Sequence, residues 1–221
     1  MSGIVGSRLN IRGSGLVGSL GTDGQVFTSA GAGKKQTYED AGGGAFVLLG
    51  KDASNTSATS YSFDTFDNGT YKDYLVVVDL WTSNSDGTGI YLRVRNASGD
   101  VTGSNYYGCH YGRTFASGST SVKEEKVWGA TTSATVGWGV ADSADNLVDF
   151  PSESFIWFTN ITSDSMPMYH WQTQSWDGES AKRDVTGTGV YKAKEDIRGF
   201  TLYSGGTHSL GTVSTYGIKN A

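Results

Sequence analysis

From Ala45 onward, short runs of β-branched and aromatic residues alternate with polar positions and are cut at brief intervals by Gly, Asn, Asp and Ser. This is the spacing of a sandwich or barrel. The runs Tyr74 to Thr82 and Gly89 to Asn96 flank Ser83-Asn84-Ser85-Asp86-Gly87-Thr88, a Gly-containing loop of hairpin length, and are expected to pair antiparallel. In the second run Ile90, Leu92 and Val94 face one way and Tyr91, Arg93 and Arg95 the other. After a turn at Asn96-Ala97-Ser98-Gly99-Asp100, extended chain resumes over 106–111, with further strands over 134–140, 154–161, 168–176, 189–193, 199–203 and 210–218. In the last of these Val213 shares a face with Gly211 and Thr215, and Thr212, Ser214, Tyr216 and Ile218 share the other, which places it inside a sheet. Residues 45–50 and 59–66 add edge strands, and Lys123-Glu124-Glu125-Lys126 is the stretch suited to a short helical turn. Roughly eight to ten strands are expected, and the fold class is all-β: a jelly-roll-like antiparallel β-sandwich over 45–221 behind an extended Gly-rich N-terminal arm over 1–44.

The arm is defined by a change of pattern. Residues 1–44 scatter Ile4, Val5, Leu9, Ile11, Leu16, Val17, Leu20, Val26 and Phe27 among Gly and Ser without helical spacing, carry no tryptophan, and end in Gly42-Gly43-Gly44. That is too thin for a core. Either these residues pack on the main domain, or they pack against copies of themselves or another protein; the intermolecular option is favoured, which makes the nine the candidate attachment and oligomer interface.

Composition narrows the classes further. The 221 residues include 32 Gly but 2 Pro, and 18% are charged, which argues against a helical bundle or coiled coil. A net charge of −5, from 17 basic and 22 acidic residues spread along the chain, supplies no basic stripe, so no nucleic-acid partner is expected. No apolar run is long enough to span a bilayer, Tyr74 to Val78 being closed by Asp79. The N-terminus lacks the basic and apolar regions of a secretory signal, so synthesis in a cytoplasm is expected. The single cysteine excludes an internal disulfide, and His110, His170 and His208 are too far apart for a sequence-local zinc site.

Motifs for catalysis and cofactors fail on context. Gly13-Ser14-Gly15-Leu16-Val17-Gly18 fits G-x-G-x-x-G, but turn material follows it where a phosphate-binding helix would be needed. Around Gly33-Lys34, Thr28 and Lys35 occupy positions where a phosphate loop needs Gly and Ser/Thr. Cys109 and His110 are adjacent and point to opposite faces of a strand, so they do not form a nucleophile and base; a buried thiol beside an exposed imidazole is expected. Among Asp142, Asp145, Asp149, Glu153, Asp177 and Glu179 nothing singles out a catalytic pair, and the sequence points to a non-enzymatic protein with no cofactor or catalytic metal. Tyr169 and Trp171 on one strand face, with Trp176, are the candidate glycan contacts, because aromatic faces stack on sugar rings; core packing is the default reading for such residues in a sandwich. The sequons at Asn55, Asn68, Asn96 and Asn160 read as polar turns.

Two phrases carry a resemblance. Leu20-Gly21-Thr22-Asp23-Gly24-Gln25-Val26-Phe27-Thr28-Ser29-Ala30-Gly31-Ala32-Gly33 resembles the "GT-x-GQVL-x-S-x-G-x-G" phrase of fibre and appendage proteins of tailed bacteriophages, with Phe27 for the usual Leu and Tyr38 at the aromatic position that follows. Leu210-Gly211-Thr212-Val213-Ser214-Thr215-Tyr216-Gly217-Ile218-Lys219 is similar to the "GTVSLYGIK" ending of phage virion β-domains, with Thr215 for Leu. The resemblance implies a virion structural protein, a tail fibre, appendage or head decoration, assembled in the host cytoplasm. It also implies a homotrimer whose arm binds other virion proteins of the capsid or tail while the β-domain projects. A host surface glycan is the further partner that such a setting suggests.

Overall fold

The computed structural model describes residues 25–28, 37–40, 45–52, 58–83, 88–115, 122–140, 152–162, 165–176, 182–209 and 211–219. The chain divides into two compact units, Met1–Gly44 and Ala45–Ala221. In the first, β1 (Gln25–Thr28) and β2 (Thr37–Asp40) pair antiparallel, with Val26 opposite Glu39 and Phe27 opposite Tyr38.

The second unit carries β3 (Phe46–Asp52), β4 (Ala58–Phe63), β5 (Asp73–Ser83), β6 (Thr88–Asn96), β7 (Gly99–Asp100), β8 (Tyr106–Phe115) and β9 (Val122–Thr131). It continues with β10 (Ala134–Val140), β11 (Ser152–Thr159), β12 (Met168–Trp176), β13 (Lys182–Tyr191), β14 (Gly199–Ser209) and β15 (Thr212–Ile218). These thirteen strands are all antiparallel and form two layers. The large layer runs β3-β15-β5-β11-β12-β13-β8-β9; the small one runs β10-β6-β14-β4, with β7 beside β6. They join where His208 and Ser209 of β14 pair with Ser83 and Thr82 of β5. The architecture is thus the expected all-β, jelly-roll-like sandwich, with one layer enlarged to eight strands.

Alternation builds the core between the layers. Tyr74, Val76 and Val78 of β5 and Ile156 and Phe158 of β11 point inward from the large sheet; Ile90, Leu92 and Val94 of β6 and Phe200 and Leu202 of β14 point inward from the small one. Phe158 stacks on Phe200 with ring centroids 5.4 Å apart, and buried Thr173 Oγ1 donates to the carbonyl of Val136 at 2.8 Å, a direct polar tie between β12 and β10. The tyrosine hydroxyl of Tyr106 accepts from the Val94 amide at 2.9 Å and donates to the Val101 carbonyl at 2.8 Å, so a buried hydroxyl satisfies two backbone groups at the end of the small sheet.

A second layer of packing comes from rings laid across glycines. Trp171 stands opposite Gly187, Tyr169 opposite Gly189 and Trp128 opposite Gly108 in register. A Cβ on Gly108 would meet Trp128 Cζ2 at 2.7 Å, and one on Gly189 would meet Tyr169 Cζ at 2.6 Å. Glycine at these positions lets a flat ring cover the neighbouring strand.

Three expectations are corrected. The runs 74–82 and 89–96 do not form a hairpin with each other: β14 lies between β6 and β5, because the two strands present their apolar faces toward one another from opposite layers. Residues 123–126 are not a helical turn but part of β9, the outermost strand of the large sheet, where charged side chains guard an open edge. The expected eight to ten strands, with the edge strands at 45–50 and 59–66, leave out two of the thirteen: β7, a two-residue strand, and β9, whose charged residues 123–126 read as a turn. Residues 46–52 and 58–63 are edge strands as expected, and β15 is interior, between β3 and β5.

Candidate functional site

Of the nine arm residues, Ile4, Val5, Leu9, Ile11, Leu16, Val17 and Leu20 lie outside the described residues. Val26 and Phe27 sit on β1 in the first unit.

Tyr169 and Trp171 follow the default of core packing, and their candidacy as glycan contacts is corrected. Each is 1% exposed, because the strand phase that turns Met168, His170 and Gln172 to solvent turns these rings into the core, across Gly189 and Gly187. Neither ring offers a face to a sugar. The buried indole N–H of Trp171 has no acceptor, so the ring is held by packing alone. The Trp176 ring lies outside the described residues; its backbone pairs with Lys182.

The Cys109–His110 pair is also the reverse of the expectation. The two point to opposite faces, but the thiol is exposed and the imidazole is 7% exposed, 5.7 Å from the Trp128 ring. Gly108 and Gly112 share the inward face with His110, so the small residues mark the phase of β8.

Two concave regions contain polar side chains. A cleft of about 580 Å³ at the sandwich end is lined by Asp64, Asp67, Asn68, Thr162, Asp196 and Arg198. Its acids are occupied. Asp64 and Asp100 both bind the Arg95 guanidinium, which reaches Thr201 Oγ1 at 3.0 Å as well. Asp67 Oδ1 accepts from the amides of Gly69 and Thr70 at 3.2 Å, and hydrogen bonding to Thr70 and Gly69 holds its carboxyl below the ordinary value. Asp196 accepts from Asn68 Nδ2 at 2.8 Å and Arg198 Nε at 2.9 Å. This arrangement closes the turn between β4 and β5 against the approach to β14; it holds loops and leaves no carboxylate pair poised for acid–base work.

The second region lies on the outer face of the large sheet and is lined by Cys109, Tyr111, Val127, His170, Thr186 and Thr188, with Glu125 and Lys126. There the His170 ring stacks on Trp157 at 4.7 Å with an interplanar angle of 2°, and desolvation lowers its pKa. Of the six acids considered as catalytic candidates, Glu153 alone is described, and it stands exposed on β11. Among the described residues no group of three or more His, Cys, Asp or Glu is placed to hold a metal ion.

The residue set that sequence reasoning missed is this outer face. β5 carries Leu75 and Val77 opposite in phase to Val76 and Val78, and β11 carries Phe155 and Trp157 opposite in phase to Ile156 and Phe158. Apolar residues on both phases of one strand are the mark of a sheet with two apolar faces.

No family model matches the chain, and no curated protein does. Two solved structures were found, of the infectious bursal disease virus Gx and Gt strains, at 11% and 8% identity. Each match covers 89% of this chain and 46% of the other, so the chain spans about half the length of those proteins. The TM-scores are 0.15 and 0.11, and at that level the likeness carries no argument.

Proposed function

We propose that the protein is a non-enzymatic structural component of a tailed-phage particle, a fibre, appendage or head decoration, attached through residues 1–44 and displaying the sandwich. The observation that carries the reading is the pair of phrases at Leu20 to Gly33 and Leu210 to Lys219, one in each unit. The chemistry of the second unit is in keeping with it: its charged groups tie loops together around Arg95 and Asp196, and its aromatic rings fill the core. The arm has apolar residues and no tryptophan, and burial of such residues on other virion proteins would supply the stability that it cannot supply alone.

The test is deletion of residues 2–40 in the phage that encodes the chain. The truncated protein is expected to be soluble and folded, and to be missing from purified particles by mass spectrometry. Incorporation at the wild-type level would overturn the attachment role.

A further inference from the structure

The outer face of the large sheet has the anatomy of a protein interface. Hydrogen-bond register sets Leu48, Tyr216, Leu75, Trp157, Cys109 and Val127 in one row across it, with His170 and Thr188 in the same row. No Lys, Arg, Asp or Glu interrupts that row. The rows on either side are charged at Asp73, Lys51 and Glu125, and the next row outward is charged at Asp79, Glu153, Asp184 and Arg113. An uncharged centre inside a charged rim distinguishes an interface from ordinary surface. Leu48 is 53% exposed, Met168 50% and Val127 83%, so the patch is open in the single chain. Eight strands about 4.8 Å apart, crossed by three rows about 7 Å apart, cover roughly 700 Å². A stable complex buries about 800 Å² on each partner.

We propose that this face packs against the same face of a second copy, about a two-fold axis running along the strands. Such an axis lays β3 of one copy over β9 of the other and turns each row toward itself. Lys51 and Glu125 stand at opposite ends of one row. The axis therefore brings Lys51 of each copy to Glu125 of the other, sets Leu48 over Val127, and centres the interface on the stacked Trp157 and His170. An axis across the strands would instead set Lys51 over Phe46 of the same strand, with Asp73 two strands away in that row. The Lys51–Glu125 contacts favour the first orientation, which also brings Asp79 toward Asp184 and its neighbour Arg113 in the outer row, and sheet-on-sheet packing supplies the geometry. The pairing does not depend on the virion role.

Sedimentation equilibrium of the full chain at micromolar concentration tests it. The wild type is expected at the mass of two chains, or an even multiple where the arms also associate. His170→Asp, which would set two carboxylates together at the axis, is expected to abolish pairing while the single chain keeps its fold by circular dichroism, because His170 is exposed in the single chain. Lys51→Glu should weaken pairing about tenfold by replacing two attractive rim contacts with repulsive ones, and Lys51→Glu with Glu125→Lys should restore it. The Cys109 thiol should react with a maleimide more slowly as concentration rises. A one-chain mass, a three-chain mass indifferent to His170→Asp, or failure of the charge swap to restore pairing would each overturn the proposal.

Discussion

Replacing Gly187 by alanine probes the ring-over-glycine layer at its tightest point. A Cβ there would lie 2.5 Å from Cε2 and Cη2 of Trp171, with Cζ2 nearer still, against 3.4 Å for the start of ordinary contact. The ring must therefore withdraw by at least 0.9 Å (3.4 − 2.5). It has little room to do so, being 1% exposed and packed on Trp128 and Tyr169 with centroids 5.7 and 6.1 Å away. Tyr169 in turn lies across Gly189, so displacement passes to a second tight contact. Stiffening of the unfolded chain by Gly→Ala returns about 0.4–1 kcal/mol. Overpacking a dense core costs about 1–3 kcal/mol, and the propagating contact puts this case at the upper end. The net loss is about 2 kcal/mol, and at about 2–4 °C per kcal/mol for a chain of this length the melting temperature falls by about 4–8 °C. Calorimetry measures it, with the exposed Thr102→Ala as the control. The double variant Gly187→Ala with Trp171→Leu is expected to be less destabilised than the sum of the singles by about 1 kcal/mol, because the smaller side chain admits the new methyl. A Gly187→Ala protein as stable as the wild type would refute the account of the layer.

Other perturbations follow from the same geometry. Trp171→Ala should cost about 3–5 kcal/mol as a core cavity while leaving any binding to a host glycan array unchanged; loss of binding at full stability would restore the ring as a sugar contact. Tyr106→Phe removes the hydroxyl shared by Val94 and Val101 and should cost about 1–3 kcal/mol, measured by chemical denaturation. Alkaline pH is expected to unfold the protein through its buried tyrosines. Burial pushes the Tyr191 hydroxyl up to about 12 and raises Tyr74, Tyr106 and Tyr169 as well, each from an ordinary value of 10.0. The unfolded chain then loses protons first, so stability is intact below pH 10 and falls as pH rises above it. A fraction of the phenolate absorbance corresponding to these four tyrosines should appear only with loss of near-ultraviolet circular dichroism; ionisation of all twelve tyrosines at pH 11 in a fully folded chain would contradict the burial argument.

Local pattern was enough for the strands themselves. Residues 134–140 and 168–176 are strands at the bounds the sequence predicts, because alternation and flanking turn residues agree there. It was not enough for pairing. The loop after β5 has hairpin length whether the chain folds back beside itself or crosses to the other layer, and the apolar phases of β5 and β6 are the same in both cases. Propensity misled at 123–126, where Lys and Glu favour a helix in isolation but serve on an edge strand to deter further pairing. Parity placed Cys109 and His110 on opposite faces without saying which was inward; the flanking Gly108 and Gly112 held that information, since glycine opposite a ring marks the packed side.

The glycines on β8 and β13 decide more than the core. Gly108, Gly112, Gly187 and Gly189 share the inward phase with His110 and Val185, so Tyr111, Cys109, Thr186 and Thr188 must take the outward one. A slip of one residue in β13 would turn a threonine against Trp171, and one in β8 would bury Tyr111; no intermediate register relieves either, because side-chain direction reverses at every step. The same small residues that seat Trp171 and Trp128 therefore fix which side chains populate the outer face. Added bulk on the inward phase should move both faces together: a variant such as Gly187→Ala that strains the ring layer also tilts β13 under Thr186 and Thr188, in the row of His170 and Cys109. The apolar outer face is thus a consequence of register and not surplus surface, and a sheet that holds its register this firmly can present a repeatable surface to a second copy.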